Sequence, residues 1–157
     1  MAKIGEADPR WIVTDRGDGK NVNSWHWEEK DLTGTAHDTL KQRFNDLSFP
    51  TNSADLMISV KELSDISGDC TVAQRKGKIM CYFGIKMTIK WKATVGGAAK
   101  AVEGKMTIEE VEHDNYKEDY DIAVSTTDND ANNEKAAQWL RGTGRKIVRS
   151  TIFNSNL

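Results

Sequence analysis

The longest hydrophobic pattern in the chain has a period of two. Apolar residues occupy every odd position over more than a dozen residues: Ile79, Cys81, Phe83, Ile85, Met87, Ile89 and Trp91. Only an extended strand places alternate residues on one face, so this run predicts a long strand whose odd positions face the core. We expect this strand to be the centre of a sheet.

Shorter alternating runs flank the long strand. The run over 56–60 and the run over 70–72 are separated by Ser67-Gly68-Asp69, which predicts two strands joined by a tight turn. Two further runs, over 102–108 and 120–124, add strands after the long one. Together the runs predict an antiparallel meander of four or five strands.

A helical period precedes the sheet. Between Asp31 and Leu47 the apolar residues recur every three or four positions, as Ala36, Leu40, Phe44 and Leu47. Thr33 or Thr35 is expected to cap this helix, and Ser48-Phe49-Pro50 to close it, because the residue before proline is pushed out of the helical region. The helix is therefore predicted to end near Leu47.

A second helical pattern follows the sheet over residues 136–152 and contains Gly142 and Gly144. Each glycine inside a helix costs about 1 kcal/mol relative to alanine. Either packing of Trp139 and Ile147 offsets about 2 kcal/mol or the helix bends there. The order of helix, antiparallel sheet and helix predicts an α+β fold.

Composition sets the number of domains. The 157 residues are 38% apolar and include five Trp, enough for one core. Residues 1–31 are rich in Gly, Asp, Asn and Trp without an apolar period, so we expect an extended arm there and one α+β domain over 32–157. Two cysteines, no apolar leader and no membrane span favour a cytosolic protein with free thiols.

The strongest local signal is the basic segment Gln74-Arg75-Lys76-Gly77-Lys78 before the long strand. It is either a solvated turn or a contact for an acidic surface. No Asp or Glu occurs from Cys70 through Val102, and further lysines extend the charge: Lys86, Lys90, Lys92 and Lys100. Met80 and Tyr82 follow on the even face, so the segment predicts a protein-binding surface unless a helix covers that face.

The segment Asn21-Val22-Asn23-Ser24-Trp25-His26-Trp27 is the second candidate contact, because aromatic side chains anchor interfaces. The alternative is that Trp25 or Trp27 pins the arm to its own sheet. No ligand or base accompanies His26, so we expect no metal there. His37 is expected to be a hydrogen-bonded residue at the edge of the first helix.

Enzyme signatures are absent from the sequence. Gly142-Thr143-Gly144-Arg145-Lys146 lacks the phosphate-loop spacing and follows a helix instead of a strand. No G-x-S-x-G, H-E-x-x-H or C-x-x-C occurs. We therefore expect neither catalysis nor a cofactor.

Four stretches carry a resemblance to a known family. MAKIGEADPRWIVTDR, NVNSWHWEEKD, GDCTVAQRKGKI and the final helix together resemble the N-terminal domain of the activators of the heat-shock protein 90 ATPase. Ser24 stands where the family usually has Asn, which affects only contacts of that side chain. Full-length members continue into a START-like domain, for which this chain has no matching segment, so we expect a piece of a longer protein or a single-domain relative.

The resemblance implies a non-enzymatic co-chaperone that docks on the middle domain of heat-shock protein 90 and helps its catalytic loop to reach ATP, with the chaperone's N-terminal domain as a second expected contact. Matching residues assign chaperone contacts to Asp69, Arg75, Lys76 and Lys78, beside the apolar Met80 and Tyr82. The arm residues implied to tune turnover are Asn21, Asn23, Trp25, His26 and Trp27. The protein is expected to be monomeric when alone.

The alternative from another class is a single-stranded nucleic-acid binder that uses the basic strand 75–92, with Tyr82 and Trp91 as stacking platforms. Two features count against this alternative. Trp91 lies at an odd, core-facing position, and the formal net charge of the chain is −2.

Overall fold

The structure is a computed structural model that describes residues 27–97, 101–117 and 120–153. Its six-stranded antiparallel sheet has the order β1-β3-β4-β5-β6, and β2 pairs with β3. The strands are β1 (Glu28–Asp31), β2 (Ser48–Phe49), β3 (Leu56–Arg75), β4 (Lys78–Val95), β5 (Val102–Glu112) and β6 (Ile122–Thr126). The helices are α1 (Thr33–Phe44), α2 (Ala131–Trp139) and α3 (Arg145–Phe153), and a π-helical turn, Leu140–Gly144, joins the last two. The predicted α+β class is confirmed.

Strand β3 is one continuous strand of 20 residues. The prediction of a tight turn at Ser67-Gly68-Asp69 is therefore wrong. Gly68 instead sits inside the strand with a φ of 104°, where a Cβ atom would collide with the Gly84 carbonyl of β4. Bulges in β3 between Val60 and Glu62 and between Leu63 and Asp65 bend the strand without ending it. Gly68 therefore avoids a steric clash between β3 and β4 instead of forming a turn.

The core lies between the helices and one face of the sheet. In β4 the odd positions from Ile85 to Val95 are buried, and they pack with residues of all three helices, including Phe44, Ala136 and Val148. The predicted core register is confirmed for this half of the strand. It is wrong for Ile79 and Cys81, which are exposed, because the helical layer ends before it reaches them.

Helix α1 begins differently from the prediction. Its N-cap residue is Leu32, and neither candidate threonine caps it. The Asp31 carboxylate accepts a hydrogen bond from the Thr33 amide at 2.8 Å, while the Thr33 hydroxyl accepts one from the Cys70 amide at 3.0 Å. The start of the helix is thereby tied to β3. The helix ends at Phe44, three residues before the predicted Leu47, because the chain leaves the helix to form β2.

The two glycines of the C-terminal helical segment fall inside the π-helical turn. A side chain at Gly144 would collide with Leu140, so the glycine allows close packing of successive turns. Trp139 packs edge-on against Phe49 with ring centroids 5.9 Å apart. Where the sequence predicted either a bend or an offset by packing, the helix is therefore interrupted by a π turn that contains Gly142 and Gly144. Among the described residues, no helix is long and apolar enough to cross a membrane.

Candidate docking site on the long hairpin

Strands β3 and β4 meet in a two-residue turn, Lys76-Gly77. Both residues have positive φ, 51° for Lys76 and 73° for Gly77. This is the conformation of a type I′ turn, whose twist matches the twist of the flanking strands. The turn places Arg75 directly opposite Lys78. The basic segment is therefore the tip of a long hairpin, whose residues 69–84 we call the hairpin end.

Two cations at the tip, Arg75 and Lys78, lack the compensation found elsewhere on the sheet. Arg75, Lys76 and Lys78 are all exposed. In the described part of the chain, Arg75 and Lys78 have no ion pair. Like charges directly opposite each other on paired strands are destabilising. The opposed Arg75 and Lys78 therefore carry an electrostatic cost that no ion pair among the described residues removes.

Two lysines farther along β4, Lys90 and Lys92, have acidic neighbours. The Lys90 ammonium contacts the Glu62 carboxylate at 2.5 Å, and this hydrogen bond raises the pKa of Lys90 and lowers that of Glu62. Lys92 lies opposite Glu103, whose carboxylate forms an ion pair with the Lys61 ammonium at 3.0 Å. The positive charge predicted to continue along the strand is thus partly neutralised there. It is concentrated at the hairpin end.

Strand register assigns the predicted contact residues to one face. Directly paired residues share a face, and the pairs here are Arg75 with Lys78, Ala73 with Met80, Thr71 with Tyr82 and Asp69 with Gly84. The named side chains Asp69, Arg75, Lys78, Met80 and Tyr82 therefore lie on the face opposite the helices. The possibility that a helix covers Met80 and Tyr82 does not hold for the described residues.

Met80 and Tyr82 form a small apolar cluster on this face. The Tyr82 hydroxyl donates a hydrogen bond to the Met80 sulfur at 3.3 Å. The Tyr82 ring also packs edge-on against His113, with centroids 5.0 Å apart, and remains 38% exposed. The contacts hold the two side chains in position while leaving part of their surface accessible.

Among the described residues, the hairpin end extends beyond the helices and β5, although Ala73 within it is fully buried. Helix α1 begins where the Leu32 amide donates to the Cys70 carbonyl at 2.8 Å. Strand β5 stops following β4 near the hydrogen bond from the His113 amide to the Phe83 carbonyl, at 3.1 Å. From Cys70 to Arg75 the strand advances about 16 Å past this level. Within the described chain, only β1 accompanies it there.

Strand β1 belongs to the predicted arm and pairs with the edge of the hairpin end. Its register runs from Glu28 opposite Gln74 to Asp31 opposite Thr71. Trp27, just before it, is 49% exposed and donates from its indole nitrogen to Glu29 at 3.2 Å. The other predicted arm residues, Asn21, Asn23, Trp25 and His26, lie outside the described residues.

The geometry of the described residues gives little support to alternatives to a protein-binding site. Trp91 is fully buried, so it is not available to stack on a nucleic-acid base. Residues 27–97, 101–117 and 120–153 contain no cluster of three or more potential metal ligands. His37 donates from Nε2 to the Gly68 carbonyl at 3.1 Å, since a carbonyl can only accept. It is the hydrogen-bonded residue that the sequence predicted.

Comparisons with known proteins bear on the whole domain. A family model described as "Activator of Hsp90 ATPase, N-terminal" matches residues 29–155. The chain is 32% identical over 152 residues to "Activator of 90 kDa heat shock protein ATPase homolog 2" of Mus musculus, a match covering 97% of this chain and 45% of that protein. It is 30% identical over 152 residues to homolog 1 of Homo sapiens, covering 97% of this chain and 44% of that protein.

The fold is also found in a solved structure. A crystal structure of Aha-1 from Plasmodium falciparum matches with a TM-score of 0.71 and 23% identity, over 80% of this chain and 83% of that chain. The chain spans less than half the length of the two mammalian relatives. Because the family model matches most of the chain, the chain belongs to the family defined by the N-terminal domain of the activators of the Hsp90 ATPase.

Proposed function

We propose that this chain is a co-chaperone that binds Hsp90 and stimulates its ATPase without catalysing a reaction itself. Membership of the activator family supports this proposal. The relatives are named as activators of an ATPase, and one from Saccharomyces cerevisiae is named as an Hsp90 co-chaperone. The proposed docking site is the hairpin end, on the face opposite the helices.

The docking site is supported mainly by two opposed cations at the tip. Arg75 and Lys78 face each other across the hairpin without an ion pair in the described chain. A partner that brings carboxylates to the tip would replace repulsion by attraction. Arg75 is suited to bidentate contact with a carboxylate, and charge-assisted hydrogen bonds are among the strongest that proteins form.

Apolar and acidic groups complete the proposed surface. Met80 and Tyr82 offer partly exposed apolar anchors beside the cations, which is the usual composition of an interface centre. Asp69 lies on the same face, six residues from Arg75 and so about 20 Å away along the strand. A partner that contacts both ends of this strip needs an acidic group near the tip and a basic group near Asp69.

The proposed mechanism is a population shift in the chaperone. The hairpin end binds the middle domain more tightly when the chaperone's catalytic loop is in its active arrangement. Differential binding of about 1–3 kcal/mol is typical of such coupling. The arm, including the exposed Trp27, is proposed to tune turnover. Removing residues 1–27 should then alter stimulation while binding to the middle domain is retained.

A binding measurement with charge-reversed variants tests the docking site. Arg75→Glu with Lys76→Glu should weaken binding to the isolated Hsp90 middle domain by several kcal/mol, because attraction becomes repulsion. The matched control is Lys135→Glu with Lys146→Glu, which makes the same change of charge on exposed positions of α2 and α3. The control should bind like the unmodified chain.

Salt dependence gives a second arm of the same experiment. Exposed charges are screened over about 8–10 Å at physiological salt, so the affinity of the unmodified chain should fall as salt rises. The tip variant should lose most of this dependence. If the tip variant and the helix control both bind as tightly as the unmodified chain, the docking site is refuted. If both variants lose the same amount of affinity, the loss is an effect of net charge instead.

A further inference from the structure

Ile79 is the most exposed large hydrophobic residue among those described, at 71%. It follows Lys78 in β4 and pairs with Gln74 in β3. Ile79 is at an odd position, so it lies on the opposite face of the strand from Met80 and Tyr82. Farther along β4, the face of Ile79 is the one that packs into the core. An isolated exposed apolar side chain needs no explanation in itself. Ile79 needs an explanation because it lies beside three cations in the hairpin end.

The surroundings of Ile79 leave it open within the described chain. The helical layer ends at the level of Cys70, four residues before its partner Gln74. On the outer edge of β4, the pairing with β5 ends at Phe83, four residues after Ile79. Large apolar groups are therefore accessible on both faces of the hairpin end.

We propose that Ile79 is a second apolar anchor for Hsp90, and that the hairpin end inserts into a cleft of the chaperone instead of lying flat on its surface. This inference rests on the proposed function. One wall of the cleft would contact Met80 and Tyr82, and the other would contact Ile79. The cleft would carry carboxylates at its far end to receive Arg75 and Lys78.

Charge and shape favour this occupant. The cations lie at the leading tip and the apolar groups behind them, so an acidic cleft with apolar walls is complementary to both. The turn is only two residues long, and the strands on each side are fully paired through Arg75 and Lys78. Such a tip is preorganised, so little conformational entropy is lost when it inserts.

The test uses a substitution that keeps the strand. Ile79→Thr retains a β-branched side chain, and therefore strand propensity, while replacing apolar surface with a hydroxyl. The matched control is Met57→Thr, since Met57 is 65% exposed at the opposite end of β3. Ile79→Thr should weaken binding of the whole chain to Hsp90 by about tenfold, as expected for an interface hot spot. Met57→Thr should bind within twofold of the unmodified chain.

Two further variants separate the outcomes. Ile79→Val should recover most of the binding, and all variants should melt like the unmodified chain. If Ile79→Thr binds normally while Arg75→Glu with Lys76→Glu fails, docking is one-sided and this inference is wrong although the proposed function stands. If both bind normally, the docking site itself is wrong. If deleting residues 1–26 abolishes the effect of Ile79→Thr, the chain's own arm covers Ile79, which also overturns the inference.

Discussion

Strands β3 and β4 run through two regions that differ in what lies against them. Between Ile85 and Val95, the odd positions of β4 are buried under the helices, and Lys90 and Lys92 on the other face have acidic neighbours. Between Lys78 and Tyr82 the same alternation continues, but Ile79 is exposed and the opposed cations Arg75 and Lys78 have no ion pair in the described chain. The first region satisfies its charged and apolar groups within the fold, and the second does not do so within the described residues.

The comparison separates stability from function along a single strand. In the covered half, each apolar side chain removes surface from water and contributes to the free energy of unfolding. In the overhanging half, a side chain of the same type contributes little to folding and remains available for binding. Identical residues in the two halves therefore allow a direct test.

The largest expected effect comes from truncating the two isoleucines. Ile89 is fully buried, so Ile89→Ala should lower the free energy of unfolding by about 2–5 kcal/mol. Ile79→Ala, ten residues away at the same parity, should change it by no more than about 0.5 kcal/mol. Urea denaturation followed by circular dichroism measures both. A large loss of unfolding free energy for Ile79→Ala would mean that the hairpin end is covered in solution.

The two cysteines give a smaller effect, which tests where along the hairpin the helices stop covering the strands. Cys70 lies beside the start of α1, and burial, with the neighbouring Cys81 thiol, raises its pKa to about 11. Cys81 is exposed on the hairpin end. Since the thiolate is the reactive form, iodoacetamide at pH 8 should label Cys81 well before Cys70.

Mass spectrometry of labelled peptides measures the two rates. Guanidinium should bring the rates together, because the unfolded chain gives both thiols similar surroundings. Equal rates in the native protein would show that the boundary between covered and overhanging strand lies elsewhere. The raised pKa has a further consequence: stability from the Cys70 thiol is complete below the ordinary pKa of 9.0 and is lost as pH rises through about 11.

The sequence supported the fold class, because hydrophobic period distinguishes strand from helix without tertiary information. The long strand and the irregular C-terminal helix were both visible in it. The turn at Ser67-Gly68-Asp69 was predicted wrongly, since Gly68 is required by the backbone of Gly84, a neighbour 16 residues away in the chain. Local turn propensity does not reveal such a contact.

The candidate site shows the same limit. The basic tip and its glycine turn could be read from the residues alone. The exposure of Ile79 could not, because alternation gives the faces of a strand but not where the covering helices end. The neutralisation of Lys90 by Glu62 was likewise hidden, since the two residues are 28 positions apart and meet only through strand pairing.

We propose that the hairpin end acts on the chaperone and not on the stability of its own domain. The most direct measurement is Hsp90 ATP turnover with the unmodified chain, the Arg75→Glu with Lys76→Glu variant and the Lys135→Glu with Lys146→Glu control, each checked by circular dichroism. We expect the tip variant to be folded and to give no stimulation, and the control to stimulate fully. A folded tip variant that stimulates as well as the unmodified chain would contradict the account.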